Sequence, residues 1–347
     1  MIKKIALALC AVLSAVFMAT GCVSREKESS SAPLVIGPSN VEIYLPDGAP
    51  ALAMAEQLHW DQEGDSKHYY VVDAQTIQTY VTGENPKADL CILPLNLASK
   101  LLGTGETYQM LGTVTHGNLF MLSTDASLQY TAENLEALKG KTVGVVQLPN
   151  VPGLTFKVIL EENNIPWQEL GNSSSPAADK VNLKAVDPNQ VAPATGLDCY
   201  VVPEPAASLK VTATANAPKP LSFVGDLQEL YGGEKGYPQA VLVAKKSFIQ
   251  GNGEWINSFI SEMEGAAEWL KTAEPSLIVS AVSRHLTEGM TPAFTEKNLS
   301  QAVISHCGIR FETAAGYKTE VNAFLDKMIA VSPVSAAKVA EEFYYHA

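Results

Sequence analysis

The apolar positions of this chain come in short runs that alternate between β and helical spacing. Val41 to Leu45 reads as a strand, and Pro50 to Leu58 as a helix opened by a proline in its first turn. Tyr69 to Val72 is a second strand and Thr76 to Val81 a short helix. Ala88 to Leu93 is apolar throughout, as expected of a strand covered on both faces. Leu97 to Leu102 is helical. This alternation predicts an α/β lobe with a mostly parallel sheet. Tyr108 to Ser123 is long and extended, with His116-Gly117-Asn118 in its middle, and reads as a strand pair crossing into a second lobe.

The second lobe opens with a helix from Thr131 to Leu138, with Thr131 as N-cap and Glu133 in the first turn. Lys139-Gly140-Lys141 ends it. Thr142 to Val146 is a strand. Pro152 to Asn163 is a helix with Leu154, Val158 and Ile159 on one face. Val181 to Val186 and Leu197 to Val202 are strands, and a helix runs from Pro203 to Val211. The Pro- and Gly-rich stretch 217–236 makes the return crossing. Gln239 to Ala244 is a strand expected to pair near Phe120. Helices are expected for Trp255 to Trp269, Glu274 to His285, Thr295 to Ala302, Ala314 to Val331 and Ser335 to Phe343.

The two halves share phrases. Leu45-Pro46-Asp47-Gly48-Ala49-Pro50 is echoed by Leu148-Pro149-Asn150-Val151-Pro152-Gly153. Asp89-Leu90-Cys91-Ile92-Leu93-Pro94 is echoed by Asp198-Cys199-Tyr200-Val201-Val202-Pro203. Similarity on this scale implies two lobes built alike, with a cleft between them. A length of 347 residues also suits two lobes better than one core.

Composition narrows the function. A net charge of −13 and the absence of a basic patch argue against nucleic acid. The arginines are Arg25, Arg284 and Arg310, far in sequence from the repeated phrases, so an arginine clamp there is not expected. No CxxC or metal-ligand spacing occurs, and Cys91 and Cys199 sit in apolar runs as small hydrophobes. No metal or cofactor is expected. At the N-terminus, Lys3 and Lys4 precede the apolar run Ile5 to Met18, which is too short to span a membrane and has the build of a signal peptide. Ala19-Thr20-Gly21-Cys22 resembles a bacterial lipobox, which implies acylation of Cys22 and export to the outer face of the membrane. Residues 1–21 are then the signal and 22–33 a Ser-rich tether.

The order of three segments resembles a known family. LEALKGKTVGV followed by PGLTFKVILEENNI, then LDCYVVPEPAASL, then YPQAVLVAKKSF resemble type II solute-binding proteins of ABC importers. The branch is the one for nitrate, taurine, alkanesulfonates and thiamine-pyrimidine precursors. The likeness runs over residues 38–270. It implies a periplasmic-binding-protein-like type II fold, with two α/β lobes, a hinge and a ligand cleft. The first lobe is expected over 34–116 plus 225–347 and the second over 117–224. The resemblance implies a monomeric lipoprotein that hands a small molecule to an ABC permease and ATPase. A sensory role for the same lobes is the alternative, and an enzyme on this fold a lesser one. Neither a GxSxG nor an HExxH motif occurs.

In open α/β sheets, ligands bind beyond the carboxyl ends of the strands. That places Asp47, Gly48, Ala49 and Pro50 on one wall, and Asn150, Val151 and Pro152 on the other. Free N–H groups at helix starts suit anionic or carbonyl oxygens. Asn96 and Glu204 follow the second repeated phrase, and Thr115, His116 and Gly117 lie where the crossing strands pass the cleft. Asp47 and Glu204 would accept from an amine or a ring N–H. The expected ligand is a heterocyclic vitamin precursor or a small amine or anion, and two acids without an arginine favour the neutral or amine-bearing class.

Overall fold

Strands too short to fold alone pair into two six-stranded sheets, one per lobe. The computed structural model describes residues 37–346, apart from 172, 194, 195 and 233–235. The expected signal, Cys22 and the tether lie outside the described residues. The chain first lays down β1 (Val41–Pro46), β2 (Lys67–Val72), β3 (Leu90–Pro94) and β4 (Tyr108–His116). It crosses at Gly117-Asn118 into β5 (Leu119–Ser123), β6 (Thr142–Val146), β7 (Trp167–Glu169), β8 (Val181–Val186), β9 (Cys199–Pro203) and β10 (Ser222–Asp226). It returns for β11 (Pro238–Lys245) and β12 (Ile309–Thr313).

The sheet orders are β12-β4-β11-β3-β1-β2 and β10-β5-β9-β6-β8-β7. In the first, β3, β1 and β2 are parallel. In the second, β9, β6, β8 and β7 are parallel. The doubled phrases thus occupy like places: β1 corresponds to β6 and β3 to β9. This is the two-lobed α/β architecture that the sequence resemblance implies. The β11 strand does not pair near Phe120. It lies antiparallel between β3 and β4, inside the first sheet, while Phe120 pairs with β9 and β10.

Several helices are shorter than their patterns suggest, because side chains or distant groups take their backbone bonds. Only Leu135–Leu138 forms a turn of helix in the stretch from Thr131. The Asn134 Oδ1 accepts the Thr131 N–H at 2.8 Å, which holds a loop in place of a first turn. The stretch from Ser335 leaves a turn and runs without helix or strand up to a single turn at Glu341–Phe343. There the Ser335 carbonyl accepts from Asn96 at 3.2 Å, and the Ala337 N–H donates to Ser99 Oγ at 3.1 Å. The helix expected from Thr295 begins only at Gln301, capped by Ser300. The run from Pro50 divides at Met54 into Ala49–Ala53 and Ala55–Trp60. The strands β7, β10 and β12 have no counterpart in the sequence pattern.

Helix Val151–Glu162 is buried from Val151 through Leu160, not along one face. It is pressed between β6 and β9 on one side and the long helix Ala314–Val331 on the other. That long helix also packs on β4 and β11, so it fastens the second lobe to the first. One continuous apolar core therefore includes Tyr108, Phe156, Tyr237 and Phe324. Fully burying each such ring stabilises the fold by roughly 2–3 kcal/mol.

Candidate functional site

A cavity of about 190 Å³ lies between the two sheets, at the carboxyl ends of β1, β3, β6 and β9. Its walls come from both lobes. Asp47, Gly48, Ala49, Pro50 and Thr115 line it from the first lobe; Asn150, Val151, Pro152 and Glu204 line it from the second. Asn96, His116 and Gly117 are not part of the lining. A wider crevice of about 580 Å³ shares Ala74, Pro94, Gln147 and Asn150 with the cavity.

The loop Asp47-Gly48 is built by its own side chain. Asp47 Oδ1 accepts the Gly48 N–H at 2.7 Å, and Oδ2 accepts the Ala293 N–H at 2.6 Å. Burial pushes the Asp47 carboxyl above the usual range, against the lowering effect of those two donors. Gly48 sits at φ 96°, in a region that side chains strain to adopt. The helix that follows opens with Ala49-Pro50, as the helix of the second lobe opens with Val151-Pro152. The starts match, yet the loop before Val151 is longer: β1 ends at Pro46, three residues before Ala49, and β6 at Val146, five before Val151. The two Leu-Pro steps therefore do not superpose. Pro46 is strand and Pro149 is turn.

Glu204 is the carboxylate of the second wall, and its side chain has 0% exposure. Its Oε2 accepts the Ser208 N–H at 2.9 Å and its Oε1 accepts the Ser208 hydroxyl at 2.6 Å. Those bonds tie the Glu204 side chain to Ser208, in the first turn of helix Ala206–Thr214. Asn118, at the crossing, donates from Nδ2 to the Glu204 carbonyl at 3.0 Å. Its Oδ1 is buried without a partner, as is Oε1 of Gln239. Both residues line the cavity. Unpaired buried acceptors are costly.

No lysine, arginine or histidine lines the cavity among the described residues, and six prolines do: Pro46, Pro50, Pro94, Pro152, Pro203 and Pro205. Each proline adds apolar wall and removes an N–H donor. Pro50, Pro152 and Pro205 do so at or beside the starts of the three helices that face the cavity. The lining thus carries carboxyl groups and no cationic side chain, while Thr115, Asn118, Gln147, Asn150 and Gln239 bring groups that both donate and accept.

The remaining expected residues have other surroundings. Asn96 donates to Ser335 O and, at 3.5 Å, to Asn150 Oδ1 across the lobes. His116 is 1% exposed. Its Nε2 lies 2.6 Å from Thr113 Oγ1, and its ring meets Tyr317 edge-on at 5.2 Å. Burial, helped by the charge of Arg310, pushes its pKa down to about 3. Gly117 turns the chain at φ 76°, where a Cβ would stand 2.6 Å from Gln228 Cγ. Sequence reasoning missed Asn118, Gln147, Gln239, Pro203 and Ala293. A signal existed for two: Asn118 completes the His-Gly-Asn triplet, and Pro203 closes the second repeated phrase, as Pro94 closes the first.

No protein-family model and no curated protein matches the chain. Solved structures do. An ABC transporter protein from Parabacteroides distasonis is similar over 89% of this chain and 99% of its own, at TM-score 0.67 and 16% identity. The periplasmic aliphatic sulphonate binding protein SsuA of Escherichia coli is similar over 89% and 92%, at TM-score 0.57 and 14% identity. The periplasmic nitrate-binding protein NrtA of Synechocystis PCC 6803 is similar over 88% and 86%, at TM-score 0.53 and 12% identity. At these identities the likeness is one of fold.

Proposed function

We propose that this chain is the extracytoplasmic substrate-binding lipoprotein of an ABC importer. It captures a small molecule between its lobes and presents it to a membrane permease and its ATPase. Lipid on Cys22 would hold it at the outer face of the membrane. The observation that carries this reading is the interlobe cavity, walled from both lobes by strand-end loops and holding the buried Glu204 carboxylate. The fold shared with sulphonate- and nitrate-binding proteins supports it.

The ligand we infer differs from those oxyanions. An oxyanion in this cavity would face two carboxylates, Asp47 and Glu204, with no cation in the lining. A neutral or cationic ligand bearing N–H groups, such as an amino heterocycle, would instead pair with Glu204, Asn118 and Gln239. Thermal melting against a panel of amino heterocycles, amines, sulfonates and nitrate tests the reading. A ligand at a hundred times its Kd stabilises by about 2.7 kcal/mol. The expected result is a rise in Tm for an N–H-bearing compound and none for sulfonate or nitrate. A panel without any shift would sink the assignment.

A further inference from the structure

Two polar residues of the second lobe's wall, Asn150 and Glu204, are each held by a first-lobe residue that stands outside the cavity. Asn96 Nδ2 donates to Asn150 Oδ1 at 3.5 Å. His306 Nδ1 lies 3.5 Å from Glu204 Oε1. The His306 ring also lies on the second lobe, 5.1 Å from Phe120 and 6.4 Å from Phe223. His306 ends helix Gln301–His306, and the chain then runs through Gly308 to the crossing, where the Gly308 carbonyl accepts the His116 N–H at 2.8 Å. A Cβ on Gly308 would stand 2.2 Å from Gly117 O, so this close approach requires glycine. The contact to Glu204 therefore originates beside the segment about which the lobes would turn.

That contact adds a partner from the other lobe to Glu204. A wholly buried carboxylate is destabilising unless its lone pairs are taken. Its own lobe supplies the Ser208 N–H and hydroxyl. Among the described residues, His306 is the cation-capable group within 4 Å of it. Opening the lobes would pull both 3.5 Å contacts apart.

We propose that His306 is a positioning residue of the site: it holds Glu204 in the cavity wall and, with Asn96, clamps the lobes closed. This rests on the reading of the cavity as the ligand site, but the clamp is testable without a ligand. Spin labels on Gln78→Cys, which lines the outer crevice, and on Asn189→Cys, beside its lining residues Pro188 and Gln190 on the other lobe, report lobe separation; both positions are exposed. Cys91, Cys199 and Cys307 are buried and take no label; Cys22→Ser removes the lipid site and any unacylated thiol there. The parent should give one short distance. His306→Ala and Asn96→Ala should each add a longer one, and Glu204→Ala, which removes the accepting oxygen, should reproduce the effect of His306→Ala from the other side. His306→Asn, which keeps an N–H near the place of Nδ1, should stay short. Distances unchanged in both His306→Ala and Glu204→Ala overturn the clamp. A His306→Asn protein as open as His306→Ala overturns the Glu204 contact as its basis. A clamp without any bound or stabilising ligand would instead contradict the transport reading alone.

Discussion

Asp198 holds Thr142 by two bonds: its N–H donates to the Thr142 carbonyl at 3.0 Å, and its Oδ2 accepts the Thr142 N–H at 2.7 Å. Asp89 holds Glu42 in the same way, at 2.9 and 3.1 Å. Each aspartate opens a repeated phrase, and each fixes the register of a central parallel strand against its neighbour. The duplication is therefore visible atom by atom, in the anchoring of β3 to β1 and of β9 to β6. Alanine at either position leaves a strand amide without its partner and should cost about 1–3 kcal/mol. Chemical denaturation of Asp89→Ala and Asp198→Ala should show similar losses; a neutral result in either would remove that aspartate from the fold's supports.

His116 makes stability fall in acid. Its pKa in the fold is about 3, against an ordinary 6.5. The unfolded chain therefore binds a proton that the folded chain refuses. The contribution is complete above pH 6.5 and is lost as the pH drops toward 3, by about 1.4 kcal/mol for each unit of that window. A His116→Gln protein should show a shallower decline in stability between pH 6 and 4 than the parent. Parallel curves would refute the buried neutral ring.

Gly153 is required for space. A Cβ there would stand 1.9 Å from Leu148 O, a backbone atom that cannot rotate away. Gly153→Ala should lower Tm markedly even though alanine is the better helix former by about 1 kcal/mol. A raised Tm would show that the loop before Val151 can shift.

Burial pushes the thiols of Cys91 and Cys307 well above their usual range, and that of Cys199 likewise. Thiolate is the reactive form. Ellman's reagent should find none of these three in the native protein and all three after unfolding. Rapid native reaction at any of them would contradict the packing of its lobe.

Much of this was legible in the sequence, for physical reasons. Parallel strands buried on both faces, such as Leu90–Pro94 and Cys199–Pro203, show as unbroken apolar runs. The helix starts at Ala49-Pro50 and Val151-Pro152 show through proline. Edge strands such as Trp167–Glu169 and Ile309–Thr313 are half-exposed and carry no such run. The irregular segment from Ser335 depends on Asn96 and Ser99, partners more than two hundred residues away. The same distance hides part of the site. Asp47 is recognisable as a loop carboxylate, but its bond to Ala293 is not. Glu204 is recognisable, but its neighbour His306 is a lone histidine in a stretch without pattern. His116 resembles a cleft residue in sequence and is a buried support in the structure.

The central claim is that the cavity carries a small N–H-bearing molecule. The most direct test is to purify the protein from its own host without added ligand and weigh it intact, first native and then denatured. The account predicts an added mass of one small nitrogen-bearing molecule per chain that vanishes on unfolding, while any lipid on Cys22 remains because it is covalent. The bare lipoprotein mass under both conditions, or an added sulfonate or nitrate, would contradict it.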